Sequence, residues 1–194
     1  MPRHKEFNEV ETLTRAMNTF WHRGYEAASI TELEKEMEIG RGSIYLAFGD
    51  KHDLFLAALE AYCDQMVDTF SRAFDDSTST KDALKRVFRE QSERYRSGKG
   101  CDGCFLTNSI IELAPKDEDV ARITSGTLSR MEELLHSSLV RDQRAGRVRS
   151  DRRPRTLARY LISQIQGLSV MIKAGTGRSA LRDILDIALE TLEP

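Results

Sequence analysis

Two cysteines three positions apart, Cys101 and Cys104 in Cys-Asp-Gly-Cys, have the most reactive side chains of the sequence. Thiols at this spacing converge on one point, so they can form a redox pair or supply half of a zinc site. A complete zinc site needs two further ligands, and the sequence offers little beyond His136 and distant acidic residues. A thioredoxin-like enzyme would need a βαβ context, which is absent. A thiol-redox or metal-binding protein that uses this pair remains open, but we assign no metal, cofactor or catalytic residue.

A second group of polar side chains lies in a short segment that begins at Gly40. Arg41, Ser43 and Tyr45 supply guanidinium and hydroxyl donors, which suit the phosphates and base edges of a nucleic acid. Gly42 allows a close approach, either to DNA or to a neighbouring helix. The whole chain has 29 Lys and Arg against 31 Asp and Glu, a formal net charge of -2. Any nucleic-acid site must therefore be local.

The composition is that of a soluble globular chain. Of 194 residues, 40% are apolar and 31% are charged, and the chain is long enough to bury a core without disulfides or metals. Three cysteines are too few, and an odd number, for a disulfide-stapled secreted scaffold. No stretch approaches the roughly 18 apolar residues of a membrane span, and no apolar leader follows the first residues. We expect a cytoplasmic protein without a membrane partner.

Apolar residues recur every three or four positions along most of the chain, whereas no segment of useful length alternates with period two. This spacing predicts an all-α fold of about nine helices with no internal repeat. The predicted helices cover residues 7–21, 30–37, 41–47, 51–74, 81–96, 105–113, 117–143, 154–174 and 178–192.

The first three predicted helices form a helix-turn-helix module. Gly24 follows the first helix, Ser29 caps the second, and a tight turn near Glu38 precedes the third. Ser29 with Glu32 at the third helical position predicts a capping box, in which each side chain satisfies the backbone N–H of the other residue. In such a module the last helix fits the major groove of DNA. The alternative is a buried helical hairpin unrelated to DNA, in which Tyr45 belongs to the core.

The combined pattern resembles the TetR family of bacterial transcriptional regulators. The resemblance covers about the first quarter of the chain and is carried by these residues: Ala16, Phe20, Gly24, Tyr25, Ile30-Thr31-Glu32-Leu33, Ile39-Gly40-Arg41-Gly42-Ser43-Ile44-Tyr45-Leu46-Ala47-Phe48-Gly49-Asp50-Lys51 and Leu54. It implies an N-terminal helix-turn-helix DNA-binding domain, here residues 1–50, and a helical ligand-binding and dimerisation domain, here residues 51–194. Members of the family are homodimers, and most are repressors that a small molecule releases from DNA.

The same resemblance assigns contacts with DNA. Ser29, Tyr45 and Lys51 should contact the phosphate backbone, while Arg41 and Ser43 should face bases or nearby phosphates. The basic segment at residues 3–5 could act as a flexible arm. Residues 1–55 carry seven Lys or Arg against ten Asp or Glu, so the affinity has to come from a few well-placed donors.

Three positions depart from the family's usual pattern. Met37 and Glu38 stand where the family usually has a small residue and Gly in the turn. Gly40 stands where the family usually has Ser or Thr, and glycine is a weaker cap for the helix that follows.

Helices with apolar faces in the C-terminal three-quarters of the chain can enclose a ligand cavity. The candidate lining residues are Tyr62, Met66, Phe70, Phe88, Phe105, Asn108 and Gln164, with ordinary core packing as the alternative for each. The last two predicted helices, near 154–174 and 178–192, have more apolar surface than one chain covers easily. We therefore expect them to form the interface of a homodimer.

The segment that begins at Gly103 resembles the start of a helix in one subgroup of the family, whose members sense electrophiles or oxidants through a cysteine at this position. At a helix N-terminus, the helix dipole would favour the thiolate of Cys104. Cys104, with Cys101, is therefore a candidate redox sensor, whereas Cys63 lies on an apolar helix face and is expected in the core. Seven arginines at residues 141–155 are interpreted as part of a solvated loop beside acidic residues.

Together these features predict a homodimeric repressor that binds a palindromic operator in double-stranded DNA. We expect an unknown small molecule or a thiol-reactive signal to release it. The competing hypothesis is a thiol-redox or metal-binding helical protein that depends on Cys101 and Cys104.

Overall fold

A computed structural model describes residues 7–96 and 102–194, with all side chains except those of residues 91–96. These residues form nine α-helices and no strand: α1 (Glu9–Arg23), α2 (Ile30–Met37), α3 (Arg41–Phe48), α4 (Lys51–Asp75), α5 (Thr80–Arg96), α6 (Phe105–Glu112), α7 (Glu118–Arg144), α8 (Pro154–Lys173) and α9 (Arg178–Glu190). The predicted all-α fold is confirmed, and the predicted helix ends differ from these by two residues or fewer. None of the described helices combines the length and the apolarity that crossing a membrane requires.

Side-chain caps determine where the first two helices begin. The Asn8 side chain accepts two backbone N–H groups from the first turn of α1, and Ser29 accepts the N–H of Glu32 at 3.2 Å before α2. The reciprocal half of the predicted capping box is wrong, because the Glu32 carboxylate instead pairs with the guanidinium of Arg23 at 2.9 Å. This ion pair joins the end of α1 to the first turn of α2.

The turn between α2 and α3 has an unusual backbone at Glu38, with a φ of 57° in the left-handed region. This region favours glycine, because a Cβ crowds the backbone there. The Glu38 carboxylate pairs with Arg15 at 2.7 Å. Gly40, before α3, has no side chain that could accept an N–H, and the Glu34 carboxylate accepts the N–H of Arg41 instead. A side chain of α2 thus supplies the cap that Gly40 lacks.

The 25-residue helix α4 belongs to two hydrophobic cores. Asp50 starts it through a capping box with Asp53. Its first half packs with α1–α3, α6 and the start of α7 in one cluster, which includes Phe20, Ile44 and Phe105. Its second half packs with α5 and α7–α9 in another cluster. The helix-turn-helix module therefore shares its hydrophobic core with helices that follow residue 50 in the sequence, beyond the predicted domain boundary.

Asp142, near the end of α7, is a fully buried carboxylate. Its oxygens accept the backbone N–H of Thr80 at 2.6 Å and the guanidinium of Arg147 at 2.6 Å. The hydroxyl groups of Thr80 and Ser138 are hydrogen-bonded beside it at 2.8 Å. Burial alone raises the pKa of Asp142, but the donors outweigh burial and hold the pKa below its ordinary value. Asp142 thus joins the start of α5 to α7 and to the loop after it.

The arginine-rich segment at residues 141–155 lies among acidic side chains. Five of its seven arginines are within ion-pair distance of a carboxylate: Arg141, Arg147, Arg149, Arg152 and Arg155. The acidic neighbours agree with the interpretation, but only the middle of the segment is a loop, because Arg141 and Arg144 lie on α7 and Arg155 lies on α8.

Replacing Asp142 by Asn should lower the free energy of unfolding by about 1–3 kcal/mol at neutral pH, because Arg147 loses its charged partner. The folded pKa is lowered, so the ionised carboxylate stabilises fully above its ordinary pKa of 3.8, and this contribution is lost as the pH falls through the folded value. The difference between the two proteins in urea unfolding should therefore shrink below about pH 4. Asp151→Asn, which removes an exposed partner of Arg149, is the matched control and should lower the free energy of unfolding by less than Asp142→Asn does. Equal losses in both variants would contradict the role of Asp142.

A protein with glycine at position 38 should be more stable than one with alanine there, because only a residue without a Cβ adopts this left-handed backbone without strain. Glu38→Gly and Glu38→Ala both lose the ion pair with Arg15, so their difference isolates the backbone. We expect the Gly variant to be more stable by about 1 kcal/mol in urea unfolding. At Lys35, inside α2, the Ala variant should instead be more stable than the Gly variant by a similar amount, since Gly is a poor helix former. A more stable Glu38→Ala would contradict the turn geometry.

Candidate functional site

The helix α3 has one buried side and one open side. Ile44 is fully buried in the first core, whereas Tyr45 is 40% exposed and Leu46 is 72% exposed. A Cβ built at Gly42 would meet no described atom within 4 Å. Within residues 7–96 and 102–194, Gly42 thus makes no close approach to a neighbouring helix. Because Tyr45 lies outside the core, the alternative of a buried hairpin is wrong.

Two cations, at the first residues of α3 and α4, lie over tyrosine rings. The Arg41 guanidinium carbon is 5.4 Å from the centroid of the Tyr45 ring, and Arg41 Nη2 donates to the Tyr45 hydroxyl at 3.1 Å. The Lys51 Nζ is 4.5 Å from the centroid of the Tyr25 ring. A tyrosine ring orients a cation without cancelling its charge. Both cations therefore remain available to an anion such as a phosphate.

Two other arginines near this face are engaged by carboxylates. Arg15 pairs with Glu11 at 2.9 Å and with Glu38 at 2.7 Å, and Arg23 pairs with Glu32. Their charge is largely offset by these partners, in contrast to the charges of the two cations on tyrosine rings.

The remaining residues predicted to contact DNA lie close to α3 in sequence. Ser43 is half-buried in the first turn of α3. Ser29 is exposed at the cap of α2, where its oxygen accepts the Glu32 N–H and leaves the hydroxyl proton free to donate. Gly42 is exposed on α3. Residues 3–5, the predicted arm, lie outside the described residues.

An aromatic cluster joins the helix-turn-helix module to α6; it consists of Phe20, Trp21, Tyr25, Phe55, Tyr62 and Phe105. The Phe55 ring lies 5.1 Å from Phe20, 5.0 Å from Tyr25 and 5.6 Å from Phe105, measured between centroids. The Tyr62 ring lies 5.1 Å from Trp21 and 5.6 Å from Phe105. These edge-to-face contacts are among the favourable geometries of aromatic pairs. Rings of α1, α4 and α6 thus pack as one unit.

Polar contacts reinforce this junction. At the end of α6, the Glu112 carboxylate accepts the backbone N–H groups of Tyr25 (3.2 Å) and Glu26 (3.1 Å) in the turn after α1. The turn can receive it because Gly24 has no Cβ; a Cβ there would lie 2.9 Å from Glu112 Oε2. Sequence reasoning missed Glu112, since a contact across more than 80 residues leaves no local pattern.

A second polar contact links α4 to α7. His52, in the first turn of α4, lies 2.7 Å from the carboxylate of Asp117, measured from Nε2 to Oδ2. Asp117 also caps α7 by accepting the N–H of Val120 at 3.0 Å. The start of α4, where Lys51 lies, is therefore held against the start of α7.

Cys104 is nearly buried at the cap position before α6, as the sequence predicts. The Tyr62 hydroxyl donates to its sulfur at 3.4 Å, and the buried Nε1–H of the neighbouring Trp21 has no hydrogen-bond partner among the described residues. Burial raises the pKa of the Cys63 thiol to about 11, so Cys63 stays protonated at neutral pH and is unreactive. Cys101 lies outside the described residues.

The described residues include one group of side chains that could hold a metal ion, and it does not contain Cys104. This group is Asp50, His52 and Asp53 at the start of α4. Its carboxylates already serve the helix cap, because Asp50 accepts the N–H groups of His52 and Asp53, and Asp53 accepts that of Asp50. A helix cap accounts for the group without a metal.

The predicted ligand-lining residues fall into different clusters. Tyr62 and Phe105 belong to the first core, and Met66 packs against both the first and the second core. Phe70 is buried in the second core, and Phe88 packs in a third cluster with residues of α8 and α9. Asn108 donates to the carbonyl of Asp102 at 2.8 Å, and Gln164 is half-buried on α8. The structure thus brings Tyr62 and Phe105 together beside Cys104, but not Phe70 or Phe88.

Known proteins match this chain both in part and over its full length. The sequence model of the bacterial regulatory proteins of the tetR family matches residues 13–58. The HTH-type transcriptional regulator YezE of Bacillus subtilis is 30% identical over 194 residues, which cover 100% of both chains. The HTH-type transcriptional repressor ComR of Escherichia coli is 29% identical over 98% of this chain and 90% of its own.

Solved structures match the fold in the same way. A cysteine mutant of the TetR family regulator CifR, complexed with 26bp double-strand operator DNA, has a TM-score of 0.84 and 29% identity over 98% of this chain and 100% of that chain. Three findings lead to one conclusion: sequence similarity to a curated regulator over the full length of the chain, the exposed side of α3 and the all-helical fold. The chain belongs to the TetR family of bacterial regulatory proteins and is a DNA-binding transcriptional regulator.

Proposed function

We propose that the protein is a homodimeric repressor that binds a palindromic operator through α3 and Lys51 and leaves it on a small-molecule or thiol-reactive signal. The observation that carries the proposal is the open side of α3, opposite the buried Ile44, with Arg41 beside it. The relative ComR is named a transcriptional repressor, and CifR is complexed with operator DNA. Both names support the same activity for this chain.

The contacts with DNA divide into two kinds. Tyr45, Lys51 and Ser29 bind the phosphate backbone, while Arg41 and Ser43 face bases or nearby phosphates. Lys51 suits a phosphate because Tyr25 holds its ammonium group in place at 4.5 Å without neutralising it. Such contacts position the helix in the groove, and contacts with base edges provide the sequence preference.

The dimer forms through α8 and α9. These two helices expose Val170, Met171 and Ile187 at 45%, 40% and 59%, while other apolar residues on them face the second core. A two-fold interface buries the same patch of both protomers against itself. The two copies of α3 then reach half-sites about one helical turn apart, which requires a palindromic operator.

The signal acts at Cys104. The Tyr62 hydroxyl donates to its sulfur, and the Tyr62 ring packs on Trp21, whose buried Nε1–H has no partner in the described part of the chain. A group added to the sulfur cannot fit without displacing the Tyr62 or Phe105 ring, because this core is closely packed. Cys101 remains a candidate redox partner of Cys104, because it lies three positions before it in the sequence.

The displacement reaches DNA through α6. This helix has only eight residues, with Cys104 before its first turn and Glu112 at its end. When α6 moves, the Glu112 carboxylate is pulled from the N–H groups of Tyr25 and Glu26. The helix-turn-helix module shifts, and a dimer that docks two helices at once no longer matches the spacing of its half-sites.

Removing the Lys51 ammonium group should weaken operator binding and reduce its dependence on salt. Each phosphate contact contributes about one unit to the slope of log K against log salt concentration, so Lys51→Ala should reduce the slope by about two per dimer. Fluorescence anisotropy with an operator duplex from the adjoining promoter measures the slope. Lys85→Ala, at an exposed lysine of α5, is the control and should leave the slope unchanged. An unchanged slope for Lys51→Ala would contradict the phosphate contact.

Alkylation of Cys104 should release the protein from its operator. We expect N-ethylmaleimide to lower the operator affinity of the unmodified sequence more than about tenfold, since the added group displaces packed rings at α6. Cys104→Ser should remain bound under the same treatment. Cys63→Ser, at the unreactive thiol, should respond like the unmodified sequence, and Cys101→Ser measures the share of the second cysteine. Mass spectrometry that finds Cys104 alkylated in protein still bound at full affinity would rule out this signal.

A further inference from the structure

We propose that Leu46 reads the C5-methyl group of a thymine in the major groove and is the central base-recognition residue of α3. This inference rests on the proposed function, because it assumes that α3 enters the groove. It concerns the base that the protein selects at one position of each half-site.

The position of Leu46 follows from helix geometry. Successive residues of an α-helix are rotated by about 100°, so Gly42 and Leu46 each lie about 160° from Ile44. Ile44 is the fully buried residue of α3. Gly42 and Leu46 are therefore the two residues that face most directly away from the core, and Arg41 with Tyr45 occupies one flank of this line.

The outermost line of α3 carries no hydrogen-bonding side chain. Gly42 has none at all, and the space around it is open to at least 4 Å. Leu46 is aliphatic and 72% exposed. On the flank, the Arg41 guanidinium donates to the Tyr45 hydroxyl at 3.1 Å, which directs it along the flank rather than over Leu46. Any contact at the centre of this face is therefore apolar.

The major groove offers an apolar side chain one specific partner. Base pairs present donors and acceptors there, and thymine alone adds a methyl group. The gap at Gly42, one turn before Leu46, allows the helix backbone to come close enough for Leu46 to reach the base edges. Two cations that suit phosphates accompany Leu46 in the sequence, Arg41 at the start of its own helix and Lys51 at the start of α4. A groove of DNA, which is lined by phosphates, matches this pattern of charge.

The test uses a duplex that the protein itself selects from a randomised double-stranded library. Each thymine of the selected half-site is replaced in turn by deoxyuridine, which lacks only the methyl group. At one thymine the affinity should fall about fourfold when one half-site is changed and about 15-fold when both are, as expected for one methyl lost from an apolar contact per half-site. The affinity is measured by fluorescence anisotropy at a fixed salt concentration.

The variant Leu46→Ala should bind the thymine and deoxyuridine duplexes with equal affinity, since the partner of the methyl group is gone. Ile111→Ala, at an exposed isoleucine of α6, is the matched control and should keep the full ratio. Equal binding of both duplexes by the unmodified sequence, a selected half-site without thymine, or an unchanged ratio in Leu46→Ala would overturn the inference. Failure to select any duplex would instead contradict the proposed function.

Discussion

The structure depends on one packing constraint, which is that the aromatic cluster belongs to two parts of the molecule at once. Phe20, Trp21 and Tyr25 come from the helix-turn-helix module, and Phe55, Tyr62 and Phe105 come from α4 and α6. A module of about 50 residues has a small core of its own and gains stability by sharing a larger one. The orientation of the module relative to α6 is therefore set by close-packed rings, and α3 joins the same hydrophobic core through Ile44.

The shared cluster also gives a continuous chain of contacts between Lys51, at the start of α4, and Cys104, before α6. Lys51 rests on Tyr25, the Tyr25 ring packs on Phe55, and Phe55 packs on Phe105. Phe105 in turn contacts Tyr62, whose hydroxyl donates to the sulfur of Cys104. Every step is a direct contact in a close-packed interior, and such interiors switch between discrete arrangements instead of deforming smoothly. The polar contact of Glu112 with the turn after α1 runs parallel to this route.

The helices and the face of α3 were predictable from the sequence, because periodicity, caps and turn residues act over short distances. The contacts that connect the module to α6 were not. Glu112 and its partners are more than 80 residues apart in the sequence. The Glu32 carboxylate pairs with Arg23 instead of completing the capping box, because α1 places this guanidinium within ion-pair distance. The predicted ligand-lining residues lie in different clusters for the same reason. An apolar helix face shows that a residue is buried, but not in which hydrophobic cluster it packs.

The ion pairs of Arg15 and Arg23 have a consequence for the attraction of the protein to DNA in general. Attraction to arbitrary DNA is almost entirely electrostatic, and here Arg15 and Arg23 are already engaged by carboxylates. These two arginines therefore add little to the capture of the protein by the rest of the chromosome, which exceeds any one binding site by a very large factor.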